Sequence, residues 1–193
     1  KNPIIISGGG VFYSDAMEEL TNFAVKHNIP VTQTVMGYST MKRDHSHFVG
    51  PIGGLGGKAA NNLAKETDLA ICIGTKLADF TTGSWANFEN PEFKLVSINI
   101  ARHDANKHLA EAVIGDAKVS LIELSNALGD WRSSDSWHKK SQDELKSWNE
   151  YVDKESGPTN QELPSYAHAV GAIYRNSDPT DIAVTAAGGL VGE

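Results

Sequence analysis

The residues of this sequence best placed for chemistry are glycines whose backbone amides could meet an anion. Gly8, Gly9 and Gly10 follow the apolar run PIIIS. Consecutive glycines permit positive φ and close approach of main chain to a ligand. They depart from the GxGxxG fingerprint, because Tyr13 stands at the third glycine's place, and the same turn can serve chain reversal alone. A second set, Gly54, Gly56 and Ala59 in GPIGGLGGKAANNLAKE, has GxGxxA spacing and opens a helix expected to reach about Glu66. Unsatisfied N–H groups at such a helix start point towards an anion. Before this set lies the polar loop DHSHFVG, where a clear strand would be expected.

Other reactive types are sparse. Asp44, His45 and His47 suggest a metal site, but HxH places both imidazoles on one side only in an extended segment, and no second cluster is spaced to complete the ligand set. The expectation is a solvated loop and no metal. Cys72, the single cysteine, lies inside LAICIG and reads as a buried core residue. Without GxSxG, HExxH or CxxC patterns, no self-contained catalytic constellation is expected.

The elements that must position these residues centre on the stretch from Thr67 to Ile100. Leu69 to Ile73 and Leu95 to Ile100 are short, β-branched and almost continuously apolar, which predicts strands covered on both faces, as in a parallel sheet flanked by helices. Between them, roughly Gly74 to Lys94 lacks a helical period and is too long for an ordinary connection, so a functional loop is expected at the carboxyl ends of the strands. Upstream, Pro3 to Ser7 predicts the first strand. Asp15 and Glu18 have capping-box spacing before a helix carrying Met17, Leu20, Phe23 and Ala24 that stops near Asn28, and Pro30 to Thr34 predicts the next strand.

Downstream, Ala112 to Ile114, closed by Gly115 and Asp116, predicts another strand, followed by a helix ending at Gly129. A long helix over roughly Ser134 to Glu155 aligns Trp137, Leu145, Trp148 and Val152 near one face, a stripe suited to packing. The predicted fold class is α/β, a Rossmann-like open parallel sheet flanked by helices. Residues 1–156 form this domain and 157–164 a linker. In 165–193 a second α/β domain starts, with a helix from Ser165 to Arg175, a strand from Asp181 and a glycine turn at Gly188.

A composition of 40% hydrophobic and 21% charged residues is that of an ordinary globular protein. The net charge of −7 and the absence of Lys/Arg clusters argue against nucleic-acid binding. No apolar run is long enough to span a bilayer and no signal peptide opens the chain, so a cytoplasmic protein without a membrane partner is expected. The start on Lys1 and the close on AAGGLVGE directly after a strand-like run suggest an excised piece of a longer polypeptide.

The glycine turn after the first strand, the glycine-rich loop opening a helix, GTKLADFTTG after a strand, then KLVSINI and a later GD resemble the central domain of thiamine-diphosphate-dependent enzymes such as acetolactate synthase. The resemblance covers Pro3 to about Glu155. Within that family, DFTTGSWANF, NPEFKLVSIN and AAGGLVGE are most similar to the branch that opens trihydroxycyclohexane-1,2-dione in myo-inositol catabolism. The resemblance implies C–C bond hydrolysis of a cyclic diketone to 5-deoxy-glucuronate. It also implies thiamine diphosphate and Mg²⁺ held largely by N- and C-terminal domains outside this chain, a homo-oligomer, and a mainly structural role for this piece, which alone would be inactive.

By the same resemblance, Ala187, Gly188 and Gly189 lie near the diphosphate. Gly8, Gly9, Gly10, Gly54, Gly56, Thr75, Asn99 and Asp116 match the regions that line a groove for the ADP part of FAD in some members. Asn99 and Ala101 stand where flavin-binding relatives carry acidic residues, which implies a vestigial or weak groove and argues against FAD, since an asparagine amide accepts with one end only. Two alternatives stay open: an FAD- or nucleotide-binding domain of an acetolactate-synthase-like carboligase, and a non-catalytic nucleotide-binding module. In the structural reading, Trp85 and Phe88 are expected to anchor an interface.

Overall fold

The computed structural model describes residues 1–178 and 180–184. In chain order the elements are β1 (Pro3–Ser7), α1 (Gly9–Tyr13), α2 (Met17–His27), β2 (Val31–Gln33), β3 (Phe48–Pro51), α3 (Lys58–Glu66), β4 (Leu69–Ile73), α4 (Asp79–Thr82), β5 (Lys94–Asn99), α5 (Arg102–Ala105), β6 (Glu111–Ile114), α6 (Ala117–Leu128), α7 (Asp135–Glu155) and α8 (Tyr166–Asn176). The strands form one all-parallel sheet in the order β3-β2-β1-β4-β5-β6. Strand order reverses between β1 and β4, which pair in register from Pro3–Leu69 to Ser7–Ile73.

The apolar runs fold as strands because helices cover both faces of the central sheet. Ile4, Ile5 and Ile6 of β1 are fully buried, as are Ala70, Cys72 and Ile73 of β4. Leu20, Phe23 and Ala24 of α2 and Leu121 of α6 complete the core on one side. Each large apolar side chain so covered is worth about 1.5–3 kcal/mol. Helix α2 stops at Asn28, which takes the left-handed conformation (φ 55°) and accounts for the break there.

Several expectations are corrected. The loop before the second glycine set contains a strand, β3; only Phe48 and Val49 of it are apolar, too few to show a period, and its pairing with β2 shifts register between Val31 and Gln33. The Asp15–Glu18 capping box does not form. Asp15 sits at φ 51° and Ala16 precedes α2 without a side-chain cap, while the Asp15 carboxylate faces Lys118 at 3.7 Å. The glycine turn after β1 is itself helical at Gly9 and Gly10, and the long connection carries the one-turn helix α4. Residues 181–184 pair with no strand among the described residues, and Ile182 and Val184 stand exposed. No described helix is long and apolar enough to cross a membrane.

The chain forms two compact units, Lys1–Leu145 and Lys146–Glu193, the division falling within α7. The first holds the sheet. In the second, Ser165 and His168 form a capping box at the start of α8, and Arg175 donates to the Ser156 carbonyl at 2.6 Å. Gly171 lets α8 approach the end of α7, since a Cβ there would lie 2.0 Å from the Ser156 oxygen.

Candidate functional site

The turns after β1 and β4 meet at the point where strand order reverses, the usual ligand crevice of an open α/β sheet. They touch through bare backbone: a Cβ on Gly8 would lie 2.4 Å from the Gly74 oxygen, and one on Gly10 2.6 Å from the Gly74 Cα. The Gly8 amide donates to the Ile73 carbonyl at 2.8 Å, and the Gly10 amide to the Gly74 carbonyl at 3.0 Å. These two glycines therefore spend their donors on the neighbouring turn.

Above this junction opens a cavity of about 410 Å³. Gly9, Gly10, Thr75 and Asn99 form part of its wall, and the exposed side chains of Met36, Leu55 and Phe80 make its rim largely apolar. Lys76 and Asp104 also line it. The Lys107 ammonium, 2.7 Å from Asp104, holds that carboxyl below its ordinary range. The Asn99 side chain donates to the Thr75 carbonyl at 3.1 Å and accepts from the Ala101 amide at 2.9 Å, tying the end of β5 to the turn after β4.

The second glycine set is also consumed internally. Gly53, at φ 106°, lies so close to α4 that a Cβ would fall 2.0 Å from the Phe80 oxygen. The Gly54 amide donates to that same oxygen at 2.7 Å, the Gly56 amide to Gly53 at 2.9 Å and the Gly57 amide to Pro51 at 2.8 Å. Asn61 completes the clamp: its side chain accepts from the Gly53 amide at 2.9 Å, donates to the Gly53 carbonyl at 3.0 Å and accepts from the buried Asn87 at 3.0 Å.

The connection after β4 is thus bolted to the loop before α3. Non-glycine positive φ recurs along it at Leu77, Ser84 and Trp85, a sign of a backbone over-determined by its surroundings. Trp85 packs on His108 with ring centroids 4.2 Å apart and on Phe88 at 5.3 Å, so both expected interface aromatics pack within the first unit.

Of the residues singled out from sequence, Gly9, Gly10, Thr75 and Asn99 come together at the cavity. Gly8 and Gly56 pack closely against neighbouring backbone, while Gly54 is exposed with room for a Cβ. Asp116 lies elsewhere. It caps α6, accepting from the amides of Lys118 and Val119 at 2.9 and 3.1 Å, and the Ser14 hydroxyl at 2.5 Å helps hold its carboxyl below the ordinary range. Ala187, Gly188 and Gly189 lie outside the described residues. Asn61, Asn87 and Phe80 were not legible in the sequence, because their partners are brought to them only by the fold.

His47 corrects the solvated-loop expectation. It is buried, and burial first, then His138, His45 and Arg132, pushes its pKa down to about 4. No group of three or more His, Cys, Asp or Glu among the described residues is placed to hold a metal ion. Cys72 is fully buried and burial raises its thiol pKa, as suits a core residue.

Strand order, switch-point cavity and glycine turns define an open, all-parallel α/β domain of Rossmann-like type. Residues 1–124 match the thiamine pyrophosphate enzyme central domain, and the chain belongs to that family. Its relatives include the 3D-(3,5/4)-trihydroxycyclohexane-1,2-dione hydrolase of Clostridium perfringens (strain 13 / Type A), 43% identical over 150 residues, covering 78% of this chain and 24% of the relative. The same-named protein of Bacillus anthracis is 36% identical over 217 aligned positions, covering 100% of this chain and 34% of the relative. A Bacillus cereus relative, named as hydrolase 2 of the same kind, is 47% identical over 136 residues, covering 69% of this chain and 21% of its own length. The chain thus spans about a quarter to a third of the relatives' length.

Proposed function

We propose that this chain is the central domain of a thiamine-diphosphate- and Mg²⁺-dependent hydrolase that opens the ring of trihydroxycyclohexane-1,2-dione by C–C bond hydrolysis, yielding 5-deoxy-glucuronate in myo-inositol catabolism. The observation that carries this reading is the 43% identity over 150 residues to a relative named for that activity. Thiamine diphosphate, when bound, supplies a nucleophilic carbon for the carbonyl and a sink for the electron pair released by C–C cleavage. The described residues do not fit that cofactor: the amides of Gly8, Gly10, Gly54, Gly56 and Gly57 donate within the protein, and no group of three or more His, Cys, Asp or Glu among the described residues suits a hard cation.

The contribution of this chain is therefore structural. Its sheet and the bolted loops present a fixed surface to the domains that would hold the cofactor, and the chain alone is inactive. Residues 1–156 form the central domain, 157–164 a linker and 165–193 the start of the diphosphate-binding domain; alignment of the whole chain with the B. anthracis relative supports this continuity. The assembled enzyme is a cytoplasmic homo-oligomer, because active sites of this family are shared between domains of different subunits.

The test uses the whole polypeptide that carries these residues, supplied with thiamine diphosphate and Mg²⁺, following consumption of the trihydroxy-dione with pyruvate as control. Cofactor-dependent ring opening without release of carbon dioxide is expected. Consumption of pyruvate with loss of carbon dioxide, the dione untouched, would replace this reading with the acetolactate-synthase-like one.

A further inference from the structure

The end of the sheet opposite the cavity is closed by residues 131–138, the segment leading into α7. Trp137 is buried there, and its indole N–H donates to the Pro3 carbonyl at the start of β1 at 2.8 Å. The Ser133 amide donates to the His27 carbonyl at 2.9 Å, just ahead of β2. The His27 ring holds the same segment, since its Nδ1 meets the Trp131 carbonyl at 2.6 Å and so carries the proton. A third attachment is made ahead of β3, where His47 stacks on His138 with ring centroids 4.2 Å apart and planes at 25°. His47 Nε2 and His138 Nδ1 are buried without a hydrogen-bond partner among the described residues.

Such a contact suits neutral imidazoles only. Lone pairs lie in the ring planes, so two nearly parallel rings at this spacing cannot converge on one metal ion. Protonation would place two cations face to face, with no carboxylate between them. The charged and titratable groups facing the pair are His45 from the loop before β3, and Arg132 and Asp135 from the closing segment itself. Asp135 is already paired with Arg132 at 3.0 Å, so the local balance is cationic once either imidazole takes a proton.

We propose that the His47–His138 stack is an acid-released latch that holds residues 131–138 against the amino end of the sheet. Burial pushes both imidazoles below their ordinary range, His47 to about 4 from 6.5. In the released segment both rings return to ordinary titration, so the open form takes up protons that the closed form refuses. The latch is fully held above pH 6.5 and weakens as pH falls from 6.5 towards 4. The opening equilibrium rises by up to about tenfold per pH unit for each histidine.

The test is an NMR titration of the chain from pH 7.5 to 4, reading the Trp137 indole N–H and the ring C–H signals of His47 and His138, with far-UV circular dichroism alongside. The expected result is loss of the Trp137 indole signal in step with protonation of both histidines while the dichroism of the sheet persists. His138→Phe keeps an aromatic partner for His47 but removes one titrating group, and should lower the midpoint by about one pH unit. An indole signal that survives to pH 4, loss of that signal only together with the whole fold, or an unchanged midpoint in the variant would overturn the latch. Should the variant fail to fold, the wild-type titration decides: a His47 ring that titrates at its ordinary value, uncoupled from Trp137, overturns it.

Discussion

Gly53 and Gly54 are adjacent, yet the fold asks different things of them. At Gly53 the backbone is left-handed (φ 106°) and a Cβ would lie 2.0 Å from the Phe80 oxygen; at Gly54 the nearest atoms are 3.8 Å away. Gly53→Ala should therefore destabilise the chain by about 3 kcal/mol or more, whereas Gly54→Ala should cost under about 1 kcal/mol, as read from urea midpoints. Asn61 serves the same junction with three hydrogen bonds. Asn61→Ala leaves the Gly53 amide and the Asn87 side chain without their partner, and a loss of about 1–3 kcal/mol is expected in the same measurement. The sequence shows that glycines cluster here but not their purpose. Phosphate-binding and loop-bolting glycines share one composition, and what separates them is the acceptor each amide meets: Phe80 and Asn61 reach this loop only after α3 and the long connection have folded.

Strands were legible where burial is two-sided. β1 and β4 coincide with the apolar runs read for them, and β5 differs by one residue at each end, because helices on both faces demand unbroken apolar character. β3, at the edge with two apolar residues, carries no such signature, whereas β6 at the other edge contains the run Ala112 to Ile114 read for it although Val113 and Ile114 are exposed. Of the stripe read along α7, Trp137 is the member buried in the core, while Leu145, Trp148 and Val152 are half-buried. Trp137 is buried and hydrogen-bonded to Pro3, while Trp148 stacks on Tyr151 with centroids 5.5 Å apart. Trp137→Phe strands a buried carbonyl at the start of β1 and should cost about 1–3 kcal/mol. Trp148→Phe retains an aromatic face for Tyr151 and should stay within about 0.5 kcal/mol of wild type, so comparing the two denaturation midpoints separates anchor from surface pair.

At the scale of the whole molecule, the topology and cavity are those of a Rossmann-like domain, while most of the glycine amides that could hold a diphosphate donate within the protein. Pyrophosphate recognition at a switch point relies on amides at a glycine turn and on an acidic acceptor for the ribose. Here the amides of Gly8 and Gly10 serve the β4 turn, those of Gly54, Gly56 and Gly57 close their own loop, and Asn99 holds Thr75 and Ala101. What remains is a cavity whose rim is apolar at Met36, Leu55 and Phe80. Calorimetric titration of the chain with ADP and with FAD should therefore show no saturation up to about 1 mM, which corresponds to less than ~4 kcal/mol of binding free energy. To bind at about 10 μM, a nucleotide would have to displace several of these internal hydrogen bonds, each worth about 0.5–1.5 kcal/mol net, and recover them through its own oxygens. Saturable binding in that range would mean that the glycine turns open in solution, and would favour a nucleotide-binding domain over the structural role proposed for this chain.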